Sequence, residues 1–328
     1  MGQENFNVGG QAVIEGVMMR SAKRISTAVR IPDGSVRVKT DDYISISQRK
    51  KLFGLPFVRG VVMFLEMTVI GIKTLNFSAE VSIVETEKIE AAEKGKEYDE
   101  SKHKKTNNFI LALTVVFSLA IGIGIFFFLP LALSSWFGVE RDALVFNLAA
   151  GAIRITFLVG YMLLLTLFAD FKRIFEYHGA EHKTIFAYEN GAELKPETVS
   201  QFTRFHPRCG TSFLLIVALF AVMVYSLSDT AFAVITGAAP ELLQRFALHF
   251  SLLPVVAAVS YEILRFSGKT RNNPITRVFI QPGLWLQRIT TSEPNHEQLE
   301  VAIFALEGAL GLTESKISVT RIPESAVN

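Results

Sequence analysis

At 328 residues the chain is half hydrophobic, and its net charge is only +2. Soluble domains of this size are less apolar and spread their apolar residues more evenly, while the weak charge and the lack of a basic-aromatic pattern exclude nucleic acid as an expected partner. The one cysteine, Cys209, cannot form an internal disulfide.

The N-terminal MGQENFNVGG is polar and has no basic-then-apolar leader, so no cleaved secretory signal is expected. Residues 1–55 are read as a cytoplasmic, glycine-rich β-hairpin region. Within Gly9–Met19, Glu15 is the only ionisable side chain, and the flanking glycines suggest tight turns or close backbone approach. Ala28–Ile31 and Ser35–Val38 alternate around Pro32-Asp33-Gly34, which predicts a hairpin. Pro56 to Ile83 reads as a helix on which Arg59, Glu66, Lys73 and Glu80 recur every seven residues as one polar stripe. This segment (56–84) is expected to be an amphipathic interfacial helix, or one packed on the bundle with its stripe wet. Residues 85–108 are a charged linker, a solvated helix or disordered.

A hydrocarbon core of about 30 Å needs roughly 20 apolar residues in helical form. Four runs qualify: Phe109–Phe137, Ala143–Ala169 interrupted by Arg154, Ser212 to Leu227 or on to Gly237 if Asp229 is tolerated, and Phe246–Leu264 with Pro254 inside it. Basic residues flank them alternately. Arg49–Lys51, Lys102, Lys104 and Lys105 precede the first; Glu140, Arg141 and Asp142 link the first two; Lys172, Arg173, Lys183, Lys195, Arg204 and Arg208 link the second and third. The third link is poor in Lys and Arg until Arg245, and Arg265, Lys269, Arg271, Arg277 and Arg288 follow the fourth. The positive-inside rule then puts both termini in the cytoplasm. The fold class is mainly α, a polytopic helical membrane protein of about four transmembrane helices, with residues 109–266 as the spanning domain and 170–211 as its cytoplasmic His/Cys loop. Residues 267–328 are a cytoplasmic region in which Ser292–Leu310 is an amphipathic helix and the last dozen residues are loose.

The strongest chemical signal is Glu176-Tyr177-His178-Gly179-Ala180-Glu181-His182-Lys183. On a helix, His178 and His182 share a face and can hold one metal ion, zinc being the first expectation among divalent metals, with Glu181 placed to take a proton from water. H-x-x-E-H is the inverted zincin pattern. Asn190-Gly191 supports the helix as its stop, while Gly179 argues against it. The plain alternative is a pair of polar histidines on a helix surface. A second cluster, Phe205-His206-Pro207-Arg208-Cys209-Gly210, precedes the third span, and antiparallel spans would bring His206 and Cys209 to His178 and His182. Arg208, between them, is an accessory candidate. Three ligands (both helix histidines with Cys209 or His206) would suit a catalytic site, four a structural one, and Glu262 is a topologically allowed third ligand while Glu241 lies on the wrong side. The alternative for the second cluster is a buried thiol and a histidine against headgroups.

Arg154, alone in its span, is a functional candidate for an anionic group such as a lipid phosphate, or else the partner of Asp229 in a structural ion pair. Glu15 is a candidate extra ligand or base, or is satisfied by Arg20 or backbone amides. His103, His249 and His296 carry no expected chemistry.

Gly9-Gly10-Gln11-Ala12-Val13-Ile14-Glu15-Gly16-Val17-Met18-Met19-Arg20, with the HGAEHK and HPRCGTSF segments, resembles the YqhQ-like family of bacterial membrane proteins of unknown function, commonly described as predicted metal-dependent enzymes. The resemblance covers nearly the whole chain, Gln298–Ala302 included. It implies a bacterial inner-membrane location and points to the same residues, His178, Glu181, His182, His206 and Cys209, while naming no substrate. His296 stands where an acidic residue is expected, which keeps it out of the site. Two readings follow. One is a hydrolase-like metalloenzyme acting on a lipid-linked substrate or a membrane-protein segment among membrane lipids. The other is a scaffold or assembly factor with a structural metal, with a small transporter ranked below it. The sequence leaves oligomer formation open.

Overall fold

The computed structural model describes residues 8–96, 108–139, 142–269, 273–312 and 317–320. His103, Lys102, Lys104, Lys105, Glu140, Arg141, Arg271 and residues 321–328 lie outside that set.

The described residues form a polar domain joined to a bundle of apolar helices. The polar domain is built on an antiparallel meander: β1 (Gly9–Val13), β2 (Gly16–Arg20), β3 (Arg24–Arg30), β4 (Val36–Asp42) and β5 (Ile317–Thr320), in that spatial order. The expected hairpin is β3–β4, with Arg30 opposite Val36. The glycine-flanked stretch is itself a second hairpin, β1–β2, with Glu15 at its turn in the left-handed region (φ 52°). The last dozen residues were expected to be loose, yet Ile317–Thr320 pairs with β4, because the open edge of β4 offers unpaired backbone groups.

Side chains alternate across a strand, so each strand serves two layers. Val17, Met19, Ala28, Val36 and Val38 face one core with Tyr177, Ala180 and Ile185 of helix α6 (Ala169–Glu189) and Leu299, Ala302 and Leu306 of helix α11 (His296–Leu310). Val29 and Ile31 face Val81 of the long helix α2 (Val58–Glu93), and Arg37 pairs with Glu85 across the same layer at 2.7 Å. The sheet is therefore sandwiched between α2 and the α6–α11 pair. Helix α11 starts later than expected, at a capping box made by Asn295 and Gln298, and stops at left-handed Gly311. It is buried on most of its surface rather than amphipathic, because sheet and α6 cover both sides.

Helix α2 runs ten residues past its expected end and spans both parts of the molecule. Its polar stripe is not simply wet. Arg59 pairs bidentately with Glu262 (2.7 and 2.5 Å), Glu66 accepts from Ser45 Oγ (2.6 Å), and Gly60 lets α2 approach Ala258 and Tyr261 closely.

Among the described residues, four helical stretches are long and apolar enough to cross a membrane: Ala112–Trp136, Ala143–Leu165, Ile216–Thr236 and Leu242–Phe266. The first joins α3 (Asn108–Ile123) to α4 (Leu129–Trp136) through a π-helical turn, Gly124–Phe128. The others lie in α5 (Ala143–Leu165), α8 (Gly210–Thr236) and α9 (Leu242–Lys269). Outward-facing apolar side chains such as Val116, Phe117 and Leu119 are exposed, as spans require. The third span continues through Asp229 and the fourth begins before Arg245, because both charges are buried against each other. Gly151 brings α5 onto Val222 of α8, where any Cβ would sit 2.4 Å from a methyl. A helix not anticipated from the sequence, α10 (Pro274–Thr290), packs along α8.

Candidate metal centre where the bundle meets the sheet domain

The HGAEHK segment is helical, as its spacing predicts. Gly179, which argued against a helix, is needed there: a Cβ would lie 2.0 Å from the Ser292 carbonyl oxygen, so only glycine lets the 290–294 segment lie on α6. That segment holds the ligand-type side chains in place. The His178 Nδ1 lies 2.8 Å from the Thr290 carbonyl, and the His182 Nδ1 lies 2.5 Å from the Arg204 carbonyl. A carbonyl only accepts, so in each neutral ring Nδ1 carries the hydrogen and Nε2 keeps its lone pair. Arg204 is itself anchored by Thr291 Oγ1 (2.8 Å) and Glu293 (3.2 Å).

These lone pairs converge. Ligand-type atoms of His178, His182 and Cys209 lie within 4.8 Å of one another, with His178 Nε2 to Cys209 Sγ at 3.2 Å. Tetrahedral zinc with bonds of about 2.0–2.3 Å needs ligand atoms spaced on this scale, and two nitrogens with one sulfur are a donor set it accepts. His182 is 1% exposed, and its Nε2 is buried with no hydrogen-bond partner. Burial, and then His178 beside it, hold the His182 imidazole below its ordinary pKa, which keeps it neutral. The residues present therefore fit a divalent metal.

Glu181 lies against the same group. It is 5% exposed and covered by β1: the Gly10 backbone lies against its carboxylate, and a Cβ at Gly10 would lie 2.9 Å from Glu181 Cδ. Burial raises its pKa from 4.5 to about 8, with His178 partly opposing the shift, and its Oε2 is buried without a partner.

The other predicted residues are distributed differently. His206 is next to the cluster, its ring 5.7 Å from that of His182, but its Nε2 faces Glu189 Oε2 at 3.7 Å. Its backbone is gripped by Gln287 of α10 at both N–H (2.7 Å) and C=O (2.8 Å). Arg208 pairs with Glu189. Glu15 is turned to Arg173 and to the Tyr177 hydroxyl (3.3 Å), so it joins neither the cluster nor Arg20. Glu262 is committed to Arg59 and is no third ligand. Arg154 lies inside the bundle, apart from the cluster, and does not pair with Asp229. His296 is exposed on the first turn of α11, as expected.

Sequence reasoning missed Gly10, Gln287, Thr290 and Arg204. Two of them act through backbone carbonyls, which leave no side-chain signature. Helix α10 did leave one, since Ile275, Val278, Phe279 and Leu286 recur at helical spacing after Pro274.

Fold and site together define, among the described residues, a mainly helical protein with four helices long and apolar enough to cross a membrane and a largely buried His/Cys/Glu cluster beside its sheet domain. The chain belongs to the family described as "Protein of unknown function (DUF1385)", which matches residues 55–312. It is 34% identical over 314 residues to the protein named "Uncharacterized protein YqhQ" of Bacillus subtilis (strain 168), a match covering 93% of this chain and 92% of that protein. The resemblance read from the sequence is thereby borne out. No solved structure matches.

Proposed function

We propose that the protein is an integral membrane metalloenzyme, hydrolase-like, with its site at the cytoplasmic face of the bacterial inner membrane. The observation that carries the reading is the convergence of two Nε2 lone pairs and one Sγ, both rings being fixed through Nδ1 to backbone carbonyls. His178, His182 and Cys209 would hold one divalent metal, zinc in first place, leaving a coordination position for water or substrate. When bound, the metal supplies a Lewis acid that brings the pKa of water down to about 7. Glu181 then takes and returns a proton at Oε2, which is buried and has no other hydrogen-bond partner. The cover formed by β1 keeps bulk water off that carboxylate. The alternation of basic residues around the spans supports the cytoplasmic orientation, and the junction with the bundle suits a lipid-linked substrate or a membrane-protein segment.

Elemental analysis of detergent-purified protein tests this. About one zinc, iron or manganese per chain is expected in the wild type and close to none in the His178→Ala, His182→Ala double mutant. A folded wild type without metal, purified without chelators, would sink the proposal.

A second reading, a scaffold with a structural metal, draws on His206 beside His182. Cobalt substitution separates the two. A d–d spectrum that shifts on adding azide marks an open position, and one unmoved by azide but altered by His206→Ala marks four protein ligands.

A further inference from the structure

The bundle contains a second buried polar cluster, to which spans in α5, α8 and α9 contribute. Asp229 of α8, fully buried, accepts hydrogen bonds from Asn147 Nδ2 of α5 (2.9 Å) and His249 Nε2 of α9 (2.8 Å), and pairs with Arg245 Nε (3.3 Å). His249, which the sequence left without a role, stacks on Tyr225 at 4.1 Å. The charges of Asp229 and Arg245 cancel.

Arg154 is left over. It is the twelfth residue of α5, which puts its Cα about 17 Å along the helix from the first residue. Its guanidinium carbon lies 4.9 Å from the Phe127 ring centre and 5.5 Å from that of Tyr225. Its Nε and Nη2 are buried with no hydrogen-bond partner, and so is the Tyr225 hydroxyl. These two nitrogens form one edge of the guanidinium, the edge that grips carboxylate or phosphate with two parallel hydrogen bonds. Ring faces attract the charge but leave the N–H groups unsatisfied. Phe127 reaches Arg154 from the π-helical turn of the first span, a departure from α geometry that recurs at functional sites.

We propose that the bundle holds a site for a phosphate-type oxyanion, taken by Arg154 Nε and Nη2 and the Tyr225 hydroxyl. A cation this deep is costly without a counter-charge, and the only carboxylate of the cluster is already committed to Arg245 and His249. The anion can be presented by a lipid headgroup or arrive as free phosphate. The site is independent of the metal reading, and its test is run with chelator present.

The test is thermal unfolding of the full chain in neutral detergent, titrated with phosphatidylglycerol, with inorganic phosphate, and with phosphatidylcholine as control. Wild type is expected to gain at least about 3 °C from the anion and nothing from phosphatidylcholine. Arg154→Met is expected to lose the gain and Tyr225→Phe to reduce it. A response to phosphatidylglycerol alone identifies a lipid source; a response to phosphate identifies a free anion. If Arg154→Met does not fold, Arg154→Lys, which keeps the charge without the fork, must show at most half the wild-type gain. A wild type that responds to neither anion, or an Arg154 variant that responds as wild type does, overturns the proposal.

Discussion

The molecule buries two polar clusters with opposite internal logic. At the junction with the sheet domain, lone pairs of His178 Nε2, His182 Nε2 and Cys209 Sγ converge, beside the buried Glu181, whose Oε2 has no partner. Inside the bundle, opposite charges face one another, and Asp229 is neutralised by Arg245 and hydrogen-bonded by His249 and Asn147. A cluster of lone pairs calls for a cation from outside, whereas the Asp229–Arg245 pair carries its own counter-charge. The elements match the difference. The first cluster is held by loop carbonyls and helix ends, where backbone groups are available for orienting rings; the second is built from the sides of helices, whose backbone groups are already used.

The sharpest way to break this contrast is Asp229→Ala. The substitution removes the carboxylate that neutralises Arg245, whose side chain is 1% exposed. Breaking a buried pair from one side costs about 3–5 kcal/mol, so a steep loss of thermal stability in detergent is expected. A loss under about 1 kcal/mol would mean that the Asp229–Arg245 pair is hydrated and its charges are screened by water.

Gly179→Ala tests the other side. Its Cβ would meet the Ser292 carbonyl oxygen at 2.0 Å, and backbone must move to admit it. The Ser292 N–H bond to the Phe175 carbonyl (2.9 Å) and the Thr290 carbonyl that orients His178 lie in the displaced segment. A destabilisation of about 1–3 kcal/mol is expected. With it should come a roughly 10–100-fold fall in metal affinity, the scale for losing a group that orients a ligand. Unchanged metal affinity in a destabilised protein would show that the rings do not depend on that segment.

How far the sequence reaches follows the same division. The spans are readable because about 20 apolar residues in a row have few other uses, and the α6 face is readable because H-x-x-E-H needs only helical spacing. Cys209 meets His178 because it immediately precedes α8. The partner of Asp229 needed a depth count: Asp229 lies seven residues before the end of α8 and His249 seven after the start of α9, so they are level. Arg154 is deeper, and a hydropathy profile treats all of these residues alike as interruptions. The sheet was half visible. Alternation marks β3 and β4, whereas β2, packed by α6 and α11 and buried at all but its last residue, reads as a uniform apolar run. The carbonyls of Thr290 and Arg204 had no signal at all, since any residue supplies one.

The smallest expected effect separates the clusters by their dryness. In metal-free protein the Glu181 pKa stands at about 8 against 4.5 unburied, so the raised value favours the protonated, folded form. Between those pH values the folded state keeps a proton that the unfolded state has lost; stability therefore falls as pH rises through that window and levels off above about 8. Glutamine is neutral throughout. The stability of Glu181→Gln relative to wild type should thus rise from pH 5 to 8.5, measured by thermal unfolding with chelator at each pH. A relative gain of at least about 1 kcal/mol is expected, within the ceiling of roughly 4 kcal/mol that a pKa of about 8 against 4.5 sets over that range. A difference that does not vary with pH would show that water already reaches Glu181 beneath β1. The acceptor cluster would then be an open, wet pocket, and the contrast with the bundle would rest on charge alone.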